Sequence, residues 1–286
     1  MPAPALSLCM LVKNEETNLP HCLDSVRGLA AELIIMDTGS SDATPRIAAD
    51  YGAKVIPFDF RVVDFAAARN SAIERASGPW ILMLDADERL DASSPPLIKA
   101  LIAQEENAGY YLERHNYVPA PARCFTDYVV RLFPKRIDFR YRGRVHETID
   151  GSILSGGGKL RKTAIRIEHN FSPDREARRR KNRRYIEILN EEIAADPGDD
   201  SRLDFLAAEY HQLGMFKEAA TVADRIVAVR PVDPTAHLFA GVYHLLYEAD
   251  WMRARAHLSQ ALKLRPDYHE AKCFLQAIDE GHIRRP

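Results

Sequence analysis

The chain has 286 residues, 46% hydrophobic and 28% charged, an ordinary globular composition with room for one large domain or two modest ones. A formal net charge of −2 gives no support to nucleic-acid or membrane-surface partners. Cys9, Cys22, Cys124 and Cys273 form no CxxC pair, so neither a zinc site nor a disulfide framework is indicated and reduced thiols in a cytosolic protein are expected.

The opening run "MPAPALSLCMLVKNEE" has no basic leader and is broken by Lys13, Asn14 and Glu15, so it reads as a first strand rather than a signal peptide or membrane span. "LSLCMLV" (6–12), "ELIIMD" (32–37), "KVIPF" (54–58) and "WILMLD" (80–85) are short apolar runs that end in or beside polar residues, the pattern of buried parallel strands. Helices are predicted between them over 16–26, 44–51 and 65–76, the second with Ser41 or Asp42 as cap and Pro45 in its first turn. This alternation predicts a parallel sheet covered on both faces, with ligands gathering at the carboxyl ends of its strands.

From 109 to 170 the helical period fades. "GYYLERHNYV", "DYVVRLFP", "FRYRG" and "AIRIEHN" are predicted strands, with "SGGGK" (155–159) as a turn. After "FSPD" (171–174) the pattern is helical. Leu206, Ala207 and Tyr210 are followed at offsets of 34 by Ala240, Gly241 and His244; Ala219, Ala223 and Pro231 are followed at 35 by Ala254, Leu258 and Pro266. Small and aromatic positions at that spacing, closed by proline, resemble tetratricopeptide hairpins, with flanking helices as half-units; an irregular bundle is the plainer alternative.

"WILMLDADERL" poses an electrostatic problem, because an apolar strand delivers Asp85, Asp87 and Glu88 to its own end. In an extended segment Asp85 and Asp87 share a side, where two carboxylates raise each other's pKa. A divalent cation resolves this, and Mg²⁺ or Mn²⁺ suits carboxylate and phosphate oxygens. The plainer alternative is a solvated turn capping the next helix.

Taken in order, "LCMLVKNEETNLPHCLDSV", "ELIIMDTGSSDATPRIAADYGAKV" and "DFAAARNSAIERASGPWILMLDADERL" resemble the nucleotide-binding half of an inverting family-two glycosyltransferase of GT-A fold, over about the first 150 residues. "RGRVHETI" and "IEHNFS", followed by the repeats, resemble a bacterial subgroup that joins such a domain to tetratricopeptide repeats and includes enzymes that glycosylate peptides. The implied fold class is α/β: a GT-A Rossmann-like nucleotide-sugar-binding domain over residues 1–170, then an all-α tetratricopeptide-like helical domain over 171–286.

The resemblance implies roles for particular residues. Val12, Asn14 and Glu15 would contact the nucleotide, Asp37 the base edge, and Ser40 would lie in the turn beside it; Ser41 and Asp42 also suit plain turn chemistry. Arg69 would lie near the nucleotide-sugar, where its fork suits a diphosphate. Asp85 would serve ribose and metal, Asp87 would be the direct metal ligand, and His169 would assist metal or phosphate. Glu88 would serve the fold or the acceptor side. Glu147 is the candidate base for deprotonating the acceptor, with Glu113 and Asp127 as competitors, and His146 would position substrate or simply end a strand. Lys181 and Arg184, in the basic run "REARRRKNRRY" (175–185), match a Lys-x-x-Arg of related sequences and would neutralise the leaving diphosphate; a solvated face and a lipid-headgroup contact are the alternatives.

The expected activity is therefore metal-dependent, inverting sugar transfer from a nucleotide-diphospho-sugar, UDP-sugar favoured and GDP-sugar second, to a saccharide, lipid-linked or peptide acceptor. No nucleic-acid partner is expected, and the repeats would bind a protein or a second copy of the chain. The expected location is the cytoplasm or the periphery of the inner membrane. A nucleotidyltransferase is the competing enzyme, disfavoured because "VKNEE" is neither glycine-rich nor basic. A scaffold carrying an inactive fold is the non-enzymatic alternative, disfavoured by the intact Asp37, Asp85, Asp87, Glu147 and His169.

Overall fold

The computed structural model describes residues 6–104, 106–119, 122–170 and 174–280. The chain divides into two compact units, Met1–Asp174 and Arg175–Pro286. The first five residues of the opening run and the first three of "FSPD" lie outside the described residues.

The first unit carries an eight-stranded sheet. Its strands are β1 (Leu6–Val12), β2 (Glu32–Asp37), β3 (Lys54–Pro57), β4 (Trp80–Met83), β5 (Glu88–Leu90), β6 (Ala108–Pro119), β7 (Ala122–Pro134) and β8 (Lys159–Asn170), in the order β3-β2-β1-β4-β7-β6-β8-β5. The four leading strands are parallel, as the apolar runs predict. β7 then joins β4 antiparallel and β6 joins β7 antiparallel; β8 runs parallel to β6, and β5 antiparallel to β8. Alternation divides the strand residues between two cores: Leu8, Met10, Leu82 and Leu84 enter one, and Cys9, Ile34, Ile81 and Met83 the other.

Helices α1 (Leu19–Ser25), α2 (Thr44–Asp50) and α3 (Phe65–Arg75) lie within the predicted spans. At α2 the Asp42 carboxylate accepts from Thr44 N at 3.0 Å, with Pro45 in the first turn; Asp64, not anticipated, caps α3 by accepting from Ala67 N at 2.8 Å. Two further helices, α4 (Ser94–Ile102) and α5 (Asp150–Ser155), were not anticipated.

"FRYRG" departs from expectation. Phe139 and Tyr141 are buried in the second core, which produces the alternation, but the segment makes only a single bridge, Arg142 with Thr148. Side chains take its backbone donors instead: Arg140 N donates to Ser152 Oγ and Tyr141 N to Asn70 Oδ1, both at 2.9 Å. The segment is a loop pinned by two aromatic anchors.

The second unit comprises α6 (Arg175–Ala195), α7 (Ser201–Gln212), α8 (Phe216–Val229), α9 (Pro234–Leu246), α10 (Trp251–Leu264) and α11 (His269–Asp279). The repeat positions fall on α7/α8 and α9/α10, with Pro231 and Pro266 just past the ends of α8 and α10. Their small residues permit close helix approach: a Cβ on Gly241 would stand 2.8 Å from Leu258 Cγ. Among the described residues, no helix is long and apolar enough to cross a membrane.

Candidate functional site

The site starts at the carboxyl ends of β1 and β2, where Val12 pairs with Asp37. The Val12 carbonyl accepts from Thr38 N and Thr38 Oγ1. Asp37 Oδ1 accepts from Ser40 N at 3.0 Å and Ser40 Oγ at 2.6 Å, and Ser40 Oγ in turn accepts from Asn14 N at 3.0 Å. Asn14 takes φ +56°, a left-handed conformation that Asn tolerates better than most residues, and its Oδ1 accepts from Ser41 N at 2.8 Å. Thr44 Oγ1 accepts from Glu15 N, and Asp42 Oδ2 from Glu16 N. The two loops are thus laced into one rigid ledge beside Asp37. Burial pushes the Glu15 carboxyl up; Asn18 opposes this, while the charges of Asp87 and Asp85 add to it.

The acids after β4 meet arginines. Arg69 of α3 donates from Nη2 to Asp85 Oδ1 at 2.8 Å and from Nε to Glu147 Oε1 at 2.6 Å. Arg131 of β7 donates from Nη2 to Asp85 Oδ2 at 2.5 Å and to Glu88 Oε1 at 2.6 Å. Burial would raise the Asp85 carboxyl, but Arg131 and Arg69 outweigh it and hold it well below its usual range. Glu88 is fully buried and accepts from Asp85 N at 3.0 Å through its other oxygen, so it bends the motif back on itself.

Asp87 is held differently. The β5–β8 pairing sets Glu88 opposite His169, and Asn170 N donates to the Asp87 carbonyl. His169 Nε2 stands 3.3 Å from Asp87 Oδ2, while its Nδ1 faces Asn116 Oδ1 at 2.7 Å. The tautomer follows from the rest of the chain of contacts. Arg114 grips Asp127 with both arms of its fork, and Asn116 Nδ2 donates to Asp127 Oδ1 at 2.9 Å. Burial acts against ionising Asp127, but Arg114 and Asn116 prevail and lower its pKa. An ionised carboxylate only accepts, so the Asn116 amide nitrogen must face Asp127 and its carbonyl must face His169. Nδ1 therefore carries a proton, and Nε2 faces a carboxylate oxygen. Two acceptors at that distance call for a cation or a second proton between them. Ligands in neighbouring positions at about 2.0–2.2 Å from an ion stand about 3 Å apart, so the pair fits one divalent ion.

Comparison with known proteins shows the family. The glycosyl transferase family 2 model matches residues 7–167, more than half of the chain. The chain belongs to glycosyl transferase family 2. It is 41% identical over 150 residues to a TPR repeat-containing protein of Synechococcus elongatus, covering 52% of this chain and 36% of that one. To the lipopolysaccharide core biosynthesis glycosyltransferase LpsC of Rhizobium meliloti it is 33% identical over 122 residues, covering 41% and 44%. It thus matches less than half the length of either relative. The crystal structure of S. aureus TarS 1-349 in complex with UDP-GlcNAc shares the fold, with TM-score 0.52 and 13% identity over 92% of this chain and 93% of that one.

In this family 2 chain, Asn14, Glu15, Asp37 and Ser40 do gather at the ends of β1 and β2, and Asp87 meets His169. Asp85 instead spends both oxygens on arginines. Arg69 is buried inside that network rather than presenting its fork to solvent, with its guanidinium 5.5 Å from the Tyr141 ring centre. Glu147 shares Arg69 with Asp85, and His146 beside it takes φ +49°. Of the competing acids, Glu113 lies 2.7 Å from His115 Nε2 and Asp127 is gripped by Arg114. Lys181 and Arg184 belong to the helical unit, where Lys181 lies over the Tyr185 ring and Arg184 pairs with Glu187.

Sequence reading overlooked Arg131, Arg114 and Asn116. Arg131 had a signal, a lone charge between Val130 and Leu132 in an apolar strand; Asn116 had none, since its importance lies in what β7 and β8 bring beside it. Among the described residues, the one trio of metal-ligating atoms all within 4.8 Å of one another lies in the helical unit: Asp224, His244 and His257.

Proposed function

We propose that this chain transfers a sugar, with inversion, from a nucleotide-diphospho-sugar to an acceptor hydroxyl. The observation that carries this reading is the Asp87–His169 pair at the mouth of the sheet, beside the Asp37 ledge. Asp37, Ser40, Asn14 and Glu15 hold the nucleoside, and Val12 shapes the floor below it. Asp87 and His169 would hold Mn²⁺ or Mg²⁺, which when bound neutralises charge growing on the diphosphate. Asp85 supports ribose and motif geometry through its arginines, so its share in the metal is the smaller.

Glu147 accepts the proton as the acceptor oxygen bonds the anomeric carbon and the bond from that carbon to the phosphate oxygen breaks. Arg69 orients Glu147 and links it to Asp85, and His146 orients substrate. A UDP-sugar is the favoured donor, in keeping with the ligand in the fold-sharing TarS structure, and a GDP-sugar is second. The LpsC relative supports a saccharide or lipid-linked acceptor, at the cytoplasmic side or the inner-membrane periphery; a peptide is the other option. The helical repeats serve a protein partner, a peptide acceptor or a second copy.

The test is turnover of a panel of UDP-, GDP- and CMP-sugars with Mn²⁺, with and without chelator, with anomeric configuration read by NMR. Expected is donor consumption with inversion, abolished by chelator and lowered about 10²–10³-fold by Asp87→Asn. Donor binding that survives both changes would remove the metal from the reading, and retained configuration would remove Glu147 as the base of a single displacement.

A further inference from the structure

The helical unit contains a second grouping of ligand-type side chains that sugar transfer does not use. We propose that Asp224 of α8 with His244 of α9 and His257 of α10 forms a binding site for a transition-metal ion of the Zn²⁺ class. This stands independently of the activity proposed above.

The hydrogen bonds fix where the His257 lone pair points. His237 Nε2 lies 3.0 Å from the Pro231 carbonyl, which can only accept, so Nε2 donates and Nδ1 is left with a lone pair. That lone pair faces His257 Nδ1 at 3.2 Å, so His257 donates from Nδ1. His257 Nε2 is left as an acceptor aimed at Asp224 Oδ1, 3.6 Å away and beyond hydrogen-bond range. On the other side, fully buried His244 has Nδ1 at 2.6 Å from Glu248 Oε2 and Nε2 at 2.9 Å from Asp224 Oδ1. Arg253 donates to Asp224 Oδ2 at 2.7 Å, which leaves Oδ1 as the oxygen both histidines share.

Two imidazole nitrogens and one carboxylate oxygen therefore converge. At metal–ligand distances of about 2.0–2.2 Å, tetrahedral ligands stand about 3.4 Å apart, between the two spacings seen here. Each imidazole is backed on its far nitrogen, His244 by a carboxylate and His257 by His237, the outer-shell arrangement that orients metal-bound histidines. Two nitrogens and one oxygen favour Zn²⁺, Co²⁺ or Ni²⁺ over Mg²⁺. Asp224 is about a third exposed (30%), which leaves an entry path and room for a water as fourth ligand.

Helix packing does not demand these histidines. The positions one repeat earlier, at offsets of 34 and 35, hold Tyr210 and Val222. A doubly protonated His244 bridging Asp224 and Glu248 would account for His244 but not for the His257 lone pair aimed at the same oxygen.

The experiment uses the full chain, stripped with chelator and titrated with Co²⁺ and then Zn²⁺. Expected is one equivalent of four-coordinate Co²⁺ with intense visible absorption, displaced by Zn²⁺ but not by excess Mg²⁺. Asp87→Asn should retain it. His257→Gln and Asp224→Asn should each weaken it at least tenfold with helical circular dichroism unchanged; His244 is too buried to be the informative variant. Absence of the spectrum in the wild-type chain, its loss in Asp87→Asn, or equal affinity in His257→Gln and Asp224→Asn would overturn the proposal. A ¹⁵N spectrum with Zn²⁺ present supplies a second arm: both His244 nitrogens still protonated would overturn it, and a metal shift at Nε2 of His244 and His257 would support it.

Discussion

Each unit sets an imidazole nitrogen against an aspartate oxygen, and the surroundings separate the two sites. In the first unit the far nitrogen of His169 donates to a neutral amide, Asn116. In the second, the far nitrogen of His244 donates to a carboxylate, Glu248, and a second imidazole joins the same oxygen. A carboxylate behind an imidazole makes it a stronger donor to a metal than an amide does. The first arrangement suits a hard ion that keeps open positions for phosphate oxygens, and the second a nitrogen-rich ion held in place. Ligand count and the shell behind each imidazole together separate a site suited to a substrate-facing ion from one suited to a resident ion.

The largest expected effect tests the arginines on which only the first site rests. Arg131→Met leaves Asp85 and Glu88 short of a buried partner and should destabilise the first unit by about 3–5 kcal/mol in urea unfolding. A loss under about 1 kcal/mol would mean that Arg69 and Arg114 suffice. Next comes a double dissociation. Asp87→Asn should lower sugar transfer by about 10²–10³-fold, as loss of one electrostatic stabiliser does, while Zn²⁺ uptake stays unchanged. Asp224→Asn should do the reverse, and equal losses of turnover in both variants would collapse the two sites into one function. The smallest effects belong to the residues behind the histidines. Glu248→Gln and Asn116→Ala should each weaken metal binding at their own site by about 10–100-fold, with Glu248 nearer the top of that range; calorimetry with Zn²⁺ and Mn²⁺ reads both.

Legibility in the sequence followed the range of the interactions. The parallel strands and Asp37 were readable because apolar runs and their polar ends are local patterns. The DAD motif was readable as acids set at a strand end, with a divalent ion expected beside them; the two buried arginines from α3 and β7 that meet Asp85 and Glu88 were not. Only β-sheet register brings Arg131 and Asn116 to these acids, and register between distant strands leaves no spacing to count. The alternation in "FRYRG" misled because aromatic anchors in a loop and side chains on a strand can share a period of two. His244 entered the reading only as a repeat position; its carboxylate partners lie on α8 and at residue 248, outside the repeat pattern.

The three-residue strand β5 has a consequence for how the protein comes to exist. Its partner β8 ends at residue 170, so Asp87 and His169 can meet only after most of the first unit has been made. Pairing across so long a stretch of chain is slow, because loop-closure entropy is lost before the contacts repay it. Asp87 and His169 face each other only once β5 has paired with β8, so at the proposed site Mn²⁺ binding during refolding would follow that pairing and report on it.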